Sequence, residues 1–251
     1  MIVLKSPREI ECLREAGRIA RVALDAAKAM VRPGVSTVEI DAEVERVIRS
    51  HGATPEFKGY RGYPASSCIS VNEEVVHGIP GARRLKAGDI VGIDVGARIK
   101  NFVGDNAATV PVGEVAPAAM RLVETTRECL ERGVAQCAPG RRLSDIGRAV
   151  QEHAEARGYS LVREYAGHGI GTRMHEEPQV PNYVDAGTLR RDVVLKEGMC
   201  LAIEPMLNVG SAEVVVLDDD WTVVTKDGSL SAHWEDSVAV TKDGPLVLTR
   251  A

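Results

Sequence analysis

The chain has 251 residues, 44% hydrophobic and 27% charged, which fits one large globular domain or two halves sharing a core. With 31 Lys and Arg against 36 Asp and Glu the net charge is −5, which excludes an electrostatic footprint for nucleic acid or anionic membrane. No apolar leader precedes Lys5, Arg8 and Glu9, no uncharged run reaches membrane length, and Cys12, Cys68, Cys129, Cys137 and Cys200 never form C-x-x-C; a cytoplasmic protein with reduced thiols is expected.

Ser6-Pro7-Arg8-Glu9 predicts a capped helix start, with Ser6 as N-cap, Pro7 first in the helix and Glu9 reaching back. Ile10, Leu13, Gly17, Ala20 and Leu24 then recur at helical spacing until Pro33-Gly34. Ser36 and Glu39 open a second helix carrying Ile40, Val44 and Val47 and ending near Gly52. The arrangement returns 106 residues later: Pro33, Gly34, Ile40, Val44 and Gly52 map onto Pro139, Gly140, Ile146, Val150 and Gly158. Long helical stretches, 7–31 and 117–137, precede each set. Five gapless matches predict two related halves, about 1–115 and 116–251, packed as a single domain, 1–251. Strand-like runs follow each helix pair, at 66–71, 90–99, 102–110, 199–207, 213–217, 221–225 and 236–241. Helices grouped together and strands grouped together predict an α+β fold, with helices covering a largely antiparallel sheet.

Two carboxylates interrupt runs that are otherwise apolar, Asp94 in Ile90-Val91-Gly92-Ile93-Asp94-Val95 and Glu204 in Leu201-Ala202-Ile203-Glu204-Pro205-Met206. An unpaired buried carboxylate costs several kcal/mol or protonates, so each needs a strong partner. One such acid has an ordinary reading as a solvated residue on an edge strand; two in one chain weigh against it. If 90–99 and 102–110 form a hairpin turning near Ile99–Asn101, Asp94 and Asp105 fall opposite or one cross-strand step apart on one face. Like charges so placed repel unless a cation lies between them, whereas another register would separate the acids onto opposite faces. His168, in Gly167-His168-Gly169-Ile170-Gly171, and Glu235, before Val238-Ala239-Val240, are further ligand candidates, each weak alone. Two Asp, two Glu and one His make an oxygen-rich set suited to a pair of Mn²⁺, Fe²⁺, Co²⁺ or Zn²⁺ ions. Such a pair activates water and polarises a carbonyl for hydrolysis.

These residues carry a family resemblance. Gly59-Tyr60-Arg61-Gly62-Tyr63-Pro64, Cys68 to Glu73, Val76-His77-Gly78-Ile79-Pro80, Gly92 to Gly96, Gly104-Asp105, Gly167 to Gly171, Met174-His175-Glu176-Glu177-Pro178, Ile203 to Met206 and Ser231 to Glu235 occur in order. From about Ser6 onward the chain resembles the methionine aminopeptidases of the short bacterial type. The resemblance implies the pita-bread fold, with two pseudo-symmetric halves. It also implies removal of initiator methionine from nascent polypeptides whose second residue is small. By the same resemblance Asp94, Asp105, His168, Glu204 and Glu235 hold two divalent ions, Asp105 and Glu235 as bridges and Glu204 also as proton shuttle. His77 and His175 are implied to bond the scissile amide and the tetrahedral intermediate. Close relatives suggest a monomer; whether it meets the ribosome transiently stays open, as does a monovalent cation site, which in relatives uses main-chain oxygens of the loop beside Glu74.

Phe57, Tyr60 and Tyr63 concentrate three of only nine aromatic residues within seven positions, either a core corner or a binding pocket. With Cys68, Met174 and Trp221 they match the family's pocket for a thioether side chain, where sulfur meets aromatic edges favourably. Met174 stands where the family often has Phe, Phe57 where Cys or a smaller residue is common, and Glu74 where an apolar residue is usual. His51, His153 and His233 match no functional position and read as surface or helix-face residues. Prolidases and aminopeptidase P share the ligand set but bring an extra N-terminal domain that this length does not hold. A non-catalytic binding protein on the same fold would have lost ligands, and all five are present.

Overall fold

Both helix starts read from the sequence form as capping boxes. In the computed structural model, which describes residues 1–250, the Glu9 carboxylate accepts from Ser6 N–H at 2.8 Å and Ser6 Oγ accepts from Glu9 N–H. Glu39 likewise accepts from Ser36 N–H at 2.8 Å. The first half runs α1 (Pro7–Met30), α2 (Thr37–Ser50), β1 (Thr54–Pro55), β2 (Cys68–Val71), β3 (Glu74–Val76), β4 (Ile90–Ile99) and β5 (Phe102–Pro111). The second runs α3 (Pro117–Val134), α4 (Leu143–Glu155), β6 (Ser160–Leu161), β7 (Gly167–Gly169), β8 (Glu176–Val180), α5 (Ala186–Arg190), β9 (Cys200–Ile203), β10 (Met206–Asn208), β11 (Val214–Val216), β12 (Val223–Thr225), β13 (Ser231–His233), β14 (Glu235–Thr241) and β15 (Gly244–Val247). Among the described residues no helix is long and apolar enough to cross a membrane.

The main sheet has nine strands in the path β1-β4-β5-β14-β9-β7-β8, with β2 added on β4 and β15 on β14. Its pairings are antiparallel, as the grouping of elements predicts. Alternation sorts the strands' side chains. Val91, Ile93, Val95 and Ala97 of β4 pack beneath Ile19, Ala23 and Leu24 of α1 and Ile40, Val44 and Ile48 of α2. Leu201 and Ile203 of β9 pack with Leu130 and Ile146 of α3 and α4. The helices therefore take one face of the sheet and leave the other free for chemistry.

The two halves share matched hydrogen bonds. Gly34 N–H donates to Leu85 O at 2.8 Å, and Gly140 N–H to Leu195 O at 3.0 Å. Thr37 N–H donates to Arg83 O and Leu143 N–H to Val193 O, each at 3.0 Å. Leu85-Lys86-Ala87-Gly88 leads into β4, and Leu195-Lys196-Glu197-Gly198 leads into β9. Asp94 and Glu204 each follow nine residues after the leucine of that turn, so they occupy corresponding places in the two halves.

The expected run 199–207 breaks into β9 and β10 at Glu204-Pro205, where proline removes a ladder donor. The run 66–71 shortens because Ser66 and Ser67 N–H donate to the Asp41 carboxylate rather than to a strand.

Candidate active site

Sheet register alone gathers the five predicted ligands. Asp94 pairs with Ala107, which pairs with Glu235, forming one row across β4, β5 and β14. Along the neighbouring row, Asp105 pairs with Gly96 on β4. The Ser237 hydroxyl on β14 donates to Asp105 O at 2.8 Å, Ser237 pairs with Ala202 on β9, and Ala202 with His168 on β7. Glu204 comes two residues after Ala202, at the end of β9. The two rows are two residues apart along each strand and so share one face. Gly96, Ala107, Ala202 and Ser237 are small, which leaves room between the acids. Asp94 and Asp105 are thus one cross-strand step apart on the same face, as the hairpin reading expects.

Donor atoms of Asp105, His168 and Glu235 lie within 4.8 Å of one another. Glu204 Oε1 is 3.6 Å from His168 Nε2. Asp94 Oδ1, Asp105 Oδ1 and Glu235 Oε1 are buried without a hydrogen-bond partner among the described residues. Burial first, then the neighbouring negative charges, raises the Asp105, Glu204 and Glu235 carboxyls well above the usual range, and burial raises Asp94. His168 is pushed down to about 4, by burial and then by His175. His168 Nδ1 lies 2.9 Å from Gly169 O and must donate to it, which leaves the Nε2 lone pair facing the acids. A neutral imidazole and crowded acids with orphaned oxygens fit divalent cations, which would replace the missing donors and relieve the repulsion.

The same side chains open onto a cavity of about 370 Å³. Phe57, Tyr60, Tyr63, Cys68, His77, Met174, His175 and Trp221, the remaining predicted site residues, all line it. Phe57 is seated by Gly96, where a Cβ would come within 2.5 Å of the Phe57 ring. Tyr63 packs edge-on against Trp221 with ring centroids 5.0 Å apart, and its hydroxyl is held by Ser67 O and Gly78 O. Phe57 and Met174 are both buried in this cluster, so the two departures from the family pattern face a common space. His77 adopts φ 61°, a left-handed conformation that an imidazole residue takes at a cost, and lies edge-on to Tyr165. Burial, then His175, pushes its imidazole down to about 4. His175 Nδ1 is 2.8 Å from Tyr60 OH, and its ring sits 4.3 Å from that of His168.

Glu74 has a local role: its carboxylate accepts from Val71 N–H at 2.7 Å and pairs with Arg83. The reading of His233 needs correction. It is only 4% exposed, and Nε2 stands 3.7 Å from Glu204 Oε2. His233 ends β13, two residues before Glu235 opens β14, and that proximity was the available signal. His153 is also buried, on the inner side of α4 against Glu128, whereas His51 caps α2 at the surface. Arg61, Glu164, Tyr165, Ala166 and Gln179 line the cavity too; they come from loops and strand ends whose convergence has no local signature.

Residues 11–242 match the profile of metallopeptidase family M24. The chain is 49% identical to methionine aminopeptidase 1 of Bacillus subtilis over 250 residues, covering 100% of both. The crystal structure of a Thermotoga maritima methionine aminopeptidase is similar over 100% of both chains, with TM-score 0.96 and 44% identity. A prolidase from Pyrococcus furiosus shares the fold at TM-score 0.79 and 26% identity; 99% of this chain covers 66% of that one.

Proposed function

The chain belongs to metallopeptidase family M24, and from that membership we propose that it is an aminopeptidase removing the N-terminal methionine of nascent polypeptides whose second residue is small. The observation that carries this reading is the convergence of Asp94, Asp105, His168, Glu204 and Glu235 beside an aromatic, sulfur-lined cavity. The relatives described above, named methionine aminopeptidases, support the substrate.

In this reading Asp94, Asp105, His168, Glu204 and Glu235 would hold two divalent ions, Asp105 and Glu235 standing at the centre of the donor set; Co²⁺, Mn²⁺, Fe²⁺ and Zn²⁺ all suit the donors. When bound, the ions supply Lewis acidity and a water acidic enough to attack at neutral pH. The residues of the chain supply the rest. Phe57, Tyr60, Tyr63, Cys68, Met174 and Trp221 enclose the methionine side chain and fix the carbonyl near the acids. Glu204, whose carboxylate lines the cavity 3.6 Å from His168 Nε2, takes the proton of the attacking water and passes it to the leaving amine. Tyr60 OH stands 2.8 Å from His175 Nδ1; with the phenol as donor, His175 Nε2 carries the hydrogen and bonds the oxygen on which charge develops. His77, neutral and fixed by its backbone, bonds the scissile amide. The five free cysteines are consistent with a cytoplasmic setting, where the monomeric enzyme meets chains leaving the ribosome.

The test is hydrolysis of Met-Ala-Ser with Mn²⁺, Co²⁺ or Fe²⁺ supplied, against Met-Phe-Ser. Release of methionine from the first and not the second is expected. Inactivity on both, with metal bound, would remove the substrate assignment.

A further inference from the structure

We propose that Lys5 is a positioning residue for His175, acting through Glu176; the inference rests on the aminopeptidase reading above. Lys5 precedes α1, far in sequence from the site. Its backbone is fixed, N–H donating to Gly198 O at 2.7 Å, and its ammonium meets Glu176 Oε2 at 2.5 Å. Both side chains are almost wholly enclosed, 5% and 6% exposed. The other Glu176 oxygen accepts from Arg173 N–H at 3.2 Å. One residue earlier, Thr172 O accepts from Arg98, whose guanidinium forks onto Glu56. The loop between these two charged anchors carries Met174 and His175 into the cavity.

The packing leaves no slack. A Cβ at Gly171 would lie 2.4 Å from Glu176 Oε1 and 2.7 Å from Lys5 Cε, so the ion pair rests directly on loop backbone. A buried ion pair is a poor source of net stability, since apolar groups of like shape often do as well. What it adds is geometry: one carboxylate oxygen fixed by Lys5 and the other by the loop's own amide, immediately beside His175. Tyr60 orients the His175 ring, and the Lys5–Glu176 pair sets where that ring's backbone stands.

The test is a double-mutant cycle on Mn²⁺-loaded enzyme with Met-Ala-Ser, using Lys5→Met, His175→Ala and the double variant, with Lys5→Arg as the conservative control. Lys5→Met should lower kcat ~10- to 100-fold, the range a small misplacement produces. Lys5→Arg should restore most of it, and Mn²⁺ affinity by calorimetry should stay within about twofold of the parent chain. In the His175→Ala background, Lys5→Met should cost less than about twofold, because the group it positions is gone. Equal losses in both backgrounds, or loss of Mn²⁺ binding in Lys5→Met, would overturn the proposal. Should Lys5→Met fail to fold, Glu176→Gln takes its place in the same cycle with the same expectations. Inactivity of the parent chain on Met-Ala-Ser would instead remove the aminopeptidase reading.

Discussion

His233 Nε2 faces Glu204 Oε2 across 3.7 Å, buried and with no hydrogen-bond partner among the described residues. Burial, then His77, pushes its imidazole down to about 3, so the ring is neutral at working pH. A neutral Nε2–H faces Glu204 just beyond hydrogen-bond length, and closing that gap would orient the carboxylate to which the proposed mechanism gives the proton. A hydrogen bond to a charged group is worth about 1.5–3 kcal/mol. His233→Leu should therefore lower kcat roughly 10-fold or more on Met-Ala-Ser, whereas His233→Gln, which still donates, should keep most of the activity. Steady-state kinetics on both variants decide this, and equal losses would count against a donor role.

Asp105 and His175 should separate binding from chemistry. Asp105→Asn weakens the donor set at its centre, so Mn²⁺ per chain by mass spectrometry should fall. His175→Ala should retain its metal but lose kcat by ~10²–10³, the usual cost of removing a donor to a developing oxyanion. Metal loss in His175→Ala would make that residue a ligand, and full occupancy in Asp105→Asn would end the bridging role.

The pH dependence of stability has a definite sign. Asp94, Asp105, Glu204 and Glu235 have folded-state pKa values above their unfolded ones, chiefly through burial. In metal-free protein the penalty of charging them is absent below the unfolded values near 4 and grows as pH rises through the folded ones. Cation binding selects the charged forms and releases protons. The gap in Tm between Mn²⁺-loaded and chelator-treated protein should widen from about pH 5 to about pH 8. A gap that narrows over that range would show that the acids do not receive the ion.

Gly96 seats the Phe57 ring at the wall of the cavity proposed to take the methionine side chain. Gly96→Ala places a Cβ within 2.5 Å of Phe57 and forces that ring to shift. Overpacking of this kind costs about 1–3 kcal/mol. If the ring moves into the cavity, KM for Met-Ala-Ser should rise ~5-fold or more, and a second change, Phe57→Leu, should recover it. An unchanged KM would place Phe57 outside the path of the methionine side chain.

Asp94 and Asp105 were legible because an acid inside an apolar strand is a local anomaly, and the hairpin between them is short enough for register to follow from the turn. The capping boxes at Ser6 and Ser36 depend on contacts within four residues and are equally local. His168 has no such signal: β7 and β8 are short, rich in glycine and polar residues, and join the sheet through the pairing of β7 with β9. His233 is not legible because a lone histidine carries no pattern, and its approach to Glu204 depends on the chain passing from β13 to β14 at Trp234. The correspondence of Asp94 with Glu204 was also available, in the repeated Leu-Lys-x-Gly turn.

β14 lies between β5 and β9 and is the seam of the main sheet. Asp94 and Asp105 come from one side of that seam, His168 and Glu204 from the other, and Glu235 from the seam strand itself. The strand that joins the two sides is thus also one of the last in the chain. Glu235 is the last of the five in the chain and sits on the strand that joins the halves, so the oxygen donor set is incomplete until that strand is in place.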